Sequence, residues 1–151
     1  IDAIAIADLI IMGPGSLYTS ILPNLLIKDI RDGVLHSDAF KVYICNAMTQ
    51  PGETTGMSAW DHLRVLLEHT DPRIVDACFV NTAAIPPAAL ERYREMGAAP
   101  VGLDLDKIRE KGYQVIRGDV LKFDGPVRHD SSRLIYLILY HYSKHSISSK
   151  G

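Results

Sequence analysis

The sequence predicts an α/β fold, a mainly parallel sheet covered by helices, and three observations predict it. Short apolar runs, Asp8 to Met12, Lys41 to Asn46 and Val75 to Val80, alternate with segments of helical period. The stretches joining them are short, as strand–helix–strand units require. The runs close on small residues, Gly13, Asn46 and Asn81. In a parallel sheet these three share the carboxyl edge, where ligands sit in such folds.

Each element can be justified in order. "IDAIAIAD" reads as the end of a helix running into a strand, with no cap or turn before it. An internal element is therefore expected to be cut there, and the chain is expected to be the C-terminal part of a larger protein. The strand Asp8 to Met12 closes on Gly13-Pro14-Gly15. A helix follows, N-capped by Thr19 or Ser20, with Pro23 in its first turn, where a missing N–H costs nothing. Leu22, Leu26 and Ile30 fall on one face of it, and Gly33 lies near its end. "KVYICN" is rich in β-formers and makes the second strand. The polar loop "AMTQPGETTG" leads to a helix capped by Ser58, with Trp60, Leu63 and Leu67 facing inward. After the third strand, Pro86 and Pro87 open a helix that closes on Met96-Gly97. "APVGLD" reads as a short strand, Leu105 to Lys111 as a short helix and Gln114 to Arg117 as another strand. "LIYLILY", Leu134 to Tyr140, suits a strand or a buried helix by apolarity; Asp130 and Ser131 before it are N-cap types and favour the helix. Residues 1–143 are expected to form one α/β domain and 144–151 a disordered tail with little to bury.

With 151 residues, 47% of them apolar and 23% charged, the chain is long enough for one domain with a proper core. A net charge of −2 and the lack of any Lys/Arg-rich run argue against nucleic acid as a partner. No stretch approaches the roughly 20 apolar residues of a membrane span, so membrane insertion is not expected. Cys45 and Cys78 lie far apart in apolar runs and read as buried free thiols, which suits the cytoplasm.

Three polar stretches carry the candidate chemistry. "GPGSLYTSILPNLL" holds Gly13 and Gly15, which permit close backbone approach, and the hydroxyls of Ser16, Thr19 and Ser20 before a helix. Such a loop suits a phosphate. The competing reading is a tight strand-to-helix turn with ordinary capping. "NAMTQPGETTG" places Asn46, Thr49, Gln50 and Glu53 in one loop, where neutral donors and acceptors can discriminate a base or a sugar; a solvated loop is the alternative. "VRHDSSR" sets Arg128, a planar fork suited to phosphate, before a helix N-terminus, with His129 and Asp130 as polar partners. Ser131 in that stretch is either the helix cap or a phosphorylation site within reach of Arg128. His62 and His69, seven apart, read as surface or packing histidines.

"ADLIIMGPGSLYTSILPNLL", "KVYICNAMTQPGET" and "VRHDSSRL" resemble, in that order, the YvcK branch of the CofD-like family, the gluconeogenesis factors. The resemblance implies a Rossmann-like three-layer α/β/α fold. It also implies a ligand that is a UDP-sugar such as UDP-N-acetylglucosamine, and a role in cell shape and in wall-precursor balance during gluconeogenic growth. The glycine-rich N-terminal turn of that branch, G-G-G-T-G, is not in this sequence. The related CofD branch moves a phospholactyl group from a nucleotide donor onto the deazaflavin Fo with Mg2+. CofD proteins resemble G-P-S-N-P where this chain has Gly13-Pro14-Gly15-Ser16-Leu17, which favours the YvcK reading. The implied ligand contacts are Gly13, Gly15, Ser16, Thr19, Ser20, Asn46, Thr49, Gln50, Glu53 and Arg128. No catalytic residue is assigned, no metal or cofactor is implied outside the transferase reading, and a homo-oligomer is left open.

Overall fold

The computed structural model describes residues 1–123 and 125–148. Four parallel strands stand in sequential order: β1 (Leu9–Met12), β2 (Phe40–Ile44), β3 (Ala77–Asn81) and β4 (Gln114–Gly118). Their register runs Ile11 to Val42, Val42 to Ala77 and Ala77 to Gln114. Helices join them: α1 (Asp2–Ala5) precedes β1, while α2 (Leu22–Leu25) and α3 (Lys28–His36) cross from β1 to β2. Helix α4 (Ala59–His69) joins β2 to β3, and α5 (Pro87–Glu95) and α6 (Leu105–Glu110) join β3 to β4. A small antiparallel pair, β5 (Leu121–Lys122) and β6 (Arg128–His129), leads into α7 (Ser131–Ser148).

The apolar runs are continuous because the central strands are covered on both faces. On one face Tyr43, Cys45, Cys78 and Val80 pack against Leu22, Leu25, Val34, Leu63, Leu66 and Ile108 from the crossover helices. On the other, Val42, Ile44, Phe79 and Ile116 meet Leu134 and Ile138 of α7. These are the three layers the family resemblance implies.

Several local expectations are corrected. Ser16, not Thr19 or Ser20, caps the turn after β1: its hydroxyl accepts from the Thr19 N–H at 3.3 Å, ahead of a π-type turn over Leu17–Ile21. Leu22, Leu26 and Ile30 do not share a helix. The chain breaks at Ile27, whose backbone is extended, so Leu26 turns outward and Leu25 is buried instead. Gly33 consequently lies inside α3. "APVGLD" forms only isolated bridges, Pro100 to Met48 and Gly102 to Ser58. The expected disordered tail starts too early, since α7 continues through Ser148. The His145 ring stacks on Phe40 at 4.4 Å, giving that end of the helix something to bury. Residues 149–151 lie outside the described residues. Ser58 does cap α4, in a reciprocal box with Asp61, and Asp104 supports it by accepting from the Ser58 hydroxyl at 2.7 Å and the Trp60 N–H at 2.9 Å.

Candidate functional site

Beyond the carboxyl ends of β1 and β2 lies a cleft of about 580 Å³, within the usual range for a small-molecule site. Three walls form it. The first is the Gly13–Gly15 turn, where the Gly13–Pro14 peptide bond is cis. Gly13 has φ 104°, and a Cβ there would stand 3.2 Å from the Ile44 carbonyl oxygen. A Cβ on Gly15 would meet the Ser20 Cβ at 3.2 Å and the Ile21 side chain at 3.4 Å. Gly13 is therefore favoured by its backbone as well as by its packing, whereas at Gly15 a side chain would need Ser20 and Ile21 to give way by a few tenths of an ångström.

The second wall runs from Asn46 to Gln50. Much of its polarity holds the loop in shape. Thr49 donates its N–H to the Ala99 carbonyl at 2.7 Å, and its hydroxyl accepts from the Ala99 N–H at 2.9 Å. The Gln50 N–H donates to the Thr54 hydroxyl at 2.8 Å. Ser16 donates its hydroxyl to the Glu53 carboxylate at 2.7 Å, tying this loop to the first. The side-chain carbonyl oxygens of Asn46 and Gln50 are different: both are buried with no hydrogen-bond partner among the described residues.

The third wall comes from β6 and α7. Arg128 is exposed at the mouth, and His129 lies beside it with Nε2 buried and unpartnered. Burial lowers the His129 pKa from the ordinary 6.5, so the ring is neutral at pH 7. Leu134, Ile135 and Ile138 of α7 line the apolar part, with Ile11 and Ile44 of the sheet. Tyr93 of α5 completes the wall, its hydroxyl accepting from the Val127 N–H at 2.8 Å. Asp130, not Ser131, caps α7, its Oδ1 accepting from the Ser132 and Arg133 N–H groups at 3.1 Å each. The Arg133 N–H is the main cause holding that carboxyl below its ordinary range. Arg128 thus belongs to a short strand and lies two residues before the cap.

Of the residues expected from sequence, Gly13, Gly15, Asn46, Thr49, Gln50, Arg128 and Ser131 meet at this cleft. Ser16, Thr19, Ser20 and Glu53 do not line it. Thr19 and Ser20 face solvent, Ser20 beside a smaller hollow shared with Asn24, and Ser16 and Glu53 bond each other. Asn81 works in the fold, accepting from the Val120 N–H at 3.3 Å. Tyr93 and the α7 residues had not been picked out. The i,i+4 pair Leu134 and Ile138 was the available signal, but it reads as core until the helix is placed. Cys45 and Cys78 are free and buried, and burial pushes both thiols up, Cys78 to about 12, so neither is a thiolate at neutral pH. Among the described residues no group of three His, Cys, Asp or Glu is placed to hold a metal, and no helix is long and apolar enough to cross a membrane.

The family described as 2-phospho-L-lactate transferase CofD matches residues 1–121. This chain belongs to the CofD family. The gluconeogenesis factor of Bacillus subtilis is 44% identical over 140 residues, covering 92% of this chain and 44% of that protein. The one from Listeria innocua is 39% identical over 140 residues, covering 92% and 42%. A crystal structure of a UPF0052-family protein from Bacillus halodurans matches with a TM-score of 0.89 at 41% identity, over 91% of this chain and 44% of that one. The chain therefore spans less than half the length of these relatives. These curated relatives are named gluconeogenesis factors, the branch of the CofD family that the three motifs resemble.

Proposed function

We propose that this protein binds a nucleotide sugar of the UDP-N-acetylglucosamine type in the cleft. Through that binding it acts in the cytoplasm as a regulator of cell shape and of wall-precursor and gluconeogenic metabolism. One observation carries the ligand class: bare carbonyl oxygens on Asn46 and Gln50 inside, with a guanidinium at the mouth. Neutral acceptors suit the hydroxyls and amides of a sugar or base, and the Arg128 fork suits a diphosphate. The backbone of the Gly13–Gly15 turn stands across from them as the phosphate-binding loop the motif implies. Ser131 lines the same cleft and is exposed, so a phosphate on it would compete with the ligand for Arg128.

The transferase reading is favoured by the CofD match itself. Against it stands the first motif, Gly13-Pro14-Gly15-Ser16-Leu17, which departs from the pattern that CofD proteins resemble there. Calorimetric titration of the chain with UDP-N-acetylglucosamine, GTP and Fo separates the two. The regulator reading expects binding of the UDP-sugar in preference to GTP and Fo. Arg128→Ala should weaken it by roughly 1.5–3 kcal/mol, the worth of a hydrogen bond to a charged group. Tight binding of Fo with no response to the UDP-sugar overturns it.

A further inference from the structure

Of the polar side chains that line the cleft, Thr49 and Tyr93 are bonded within the protein and Ser131 is exposed. Three others each hide an unpaired atom among the described residues. Asn46, Gln50 and His129 each line it with a buried polar atom that has no partner, Oδ1, Oε1 and Nε2 respectively. They come from different segments, the loop after β2 and the strand β6, so no single local turn explains all three. Leaving one such atom bare costs roughly 1–3 kcal/mol. Native structures rarely carry that cost without a ligand, a water or a functional reason. Other bare atoms in the protein differ in place. The His62 Nε2 and the Tyr43 hydroxyl belong to α4 and β2 and do not line this cleft, and His62 is anchored through Nδ1 to the Ser58 carbonyl at 2.8 Å. At the cleft no hydrogen bond fixes the two amides or the imidazole, so each can turn about its terminal torsion without breaking one.

All three groups are uncharged at neutral pH, and each offers both a donor and an acceptor. We infer that His129, with Asn46 and Gln50, reads an uncharged hydrogen-bonding part of the ligand, the amide and hydroxyls of a sugar or the imide edge of a base. Arg128 holds the anionic part separately at the mouth. His129 is then a specificity residue: a neutral imidazole gives the phosphates no charge to bind, but it satisfies an O–H or an N–H. This assignment rests on the nucleotide-sugar reading and adds to it that an uncharged part of the ligand lies inside and its phosphates at the mouth.

The test uses the full chain, with three probes titrated against the parent and His129→Phe: UDP-N-acetylglucosamine, UDP and inorganic diphosphate. His129→Phe should lower affinity for the UDP-sugar roughly tenfold, about one hydrogen bond's worth, and leave diphosphate unchanged. If the sugar is what His129 reads, UDP binding also stays unchanged; if the base, UDP falls by the same factor. His129→Gln, which keeps a neutral donor and acceptor, should recover most of the loss. Asn46→Leu and Gln50→Leu report on the same set if His129→Phe does not fold. Variants that bind every probe like the parent, or lose diphosphate equally, overturn the assignment and leave the nucleotide-sugar reading standing. A parent that binds neither UDP nor the UDP-sugar overturns both.

Discussion

After β1 the polar residue nearest the turn is turned on the protein itself, for Ser16 caps the following turn and bonds Glu53, and Gly13 and Gly15 pack closely on Ile44, Ser20 and Ile21. After β2 the loop is clamped by its backbone and two threonines, and the amides of Asn46 and Gln50 are left over. In sequence the two stretches look alike, glycines with hydroxyls and amides after an apolar run. The difference teaches that a polar residue marks a site only once the bonds the fold demands of it have been counted.

The sharpest way to break this comparison is at Gly13. A valine there would force a β-branched residue to φ 104° and set its Cβ 3.2 Å from a backbone oxygen. Gly13→Val should cost at least about 1–3 kcal/mol from backbone strain alone, read as a lower urea midpoint. Gly15→Val should also lower stability, because the new side chain would press on Ser20 and Ile21. Unchanged melting for both would mean that the first wall is free to serve a ligand only.

A smaller effect separates Asp130 from Ser131. Asp130→Ala should lower the melting temperature clearly, since two N–H groups lose their acceptor. Ser131→Ala should stay within about 0.5 kcal/mol of the parent, as for a surface residue. The reverse order would return the cap to Ser131.

The smallest effect is a pH dependence. Burial lowers the pKa of His62 below 6.5, and a carbonyl cannot donate, so its neutral ring keeps the proton on Nδ1 toward Ser58. The unfolded chain takes up a proton near pH 6.5 while the folded one resists it. Stability from this source is therefore full above 6.5 and lost as pH falls through the lower folded value, and His129 adds to it in the same sense. Urea midpoints between pH 7.5 and 5 should decline, less steeply in His62→Gln. An identical slope in that variant would remove His62 from the account.

The strands, the Ser58 cap, the Pro-opened α5 and the helical choice for Leu134–Tyr140 were legible because each rests on local chemistry or period. Ser16 was not separable from Thr19 and Ser20, since all three are capping types and only the π-type turn selects among them. The break at Ile27 sits within a run of apolar and helix-compatible residues. The strand placing Arg128 and His129 exists only through its pairing with Leu121 and Lys122. The helical end near His145 depends on Phe40, distant in sequence. For the site, residue types and sheet edge were readable, but not which polar atoms remain unbonded. Ser16 and Glu53, expected at the ligand from their types, bond each other in the fold, while His129, read only as a polar partner of Arg128, lines the cleft.

Among the described strands β1 pairs with β2, and three of its four residues are half-buried, whereas β2 is buried along its whole length. Two of the three walls of the cleft thus rest on neighbouring strands that are covered to different degrees. A molecule of the proposed class that touched both would act as a cross-brace, favouring the arrangement in which both strands are seated.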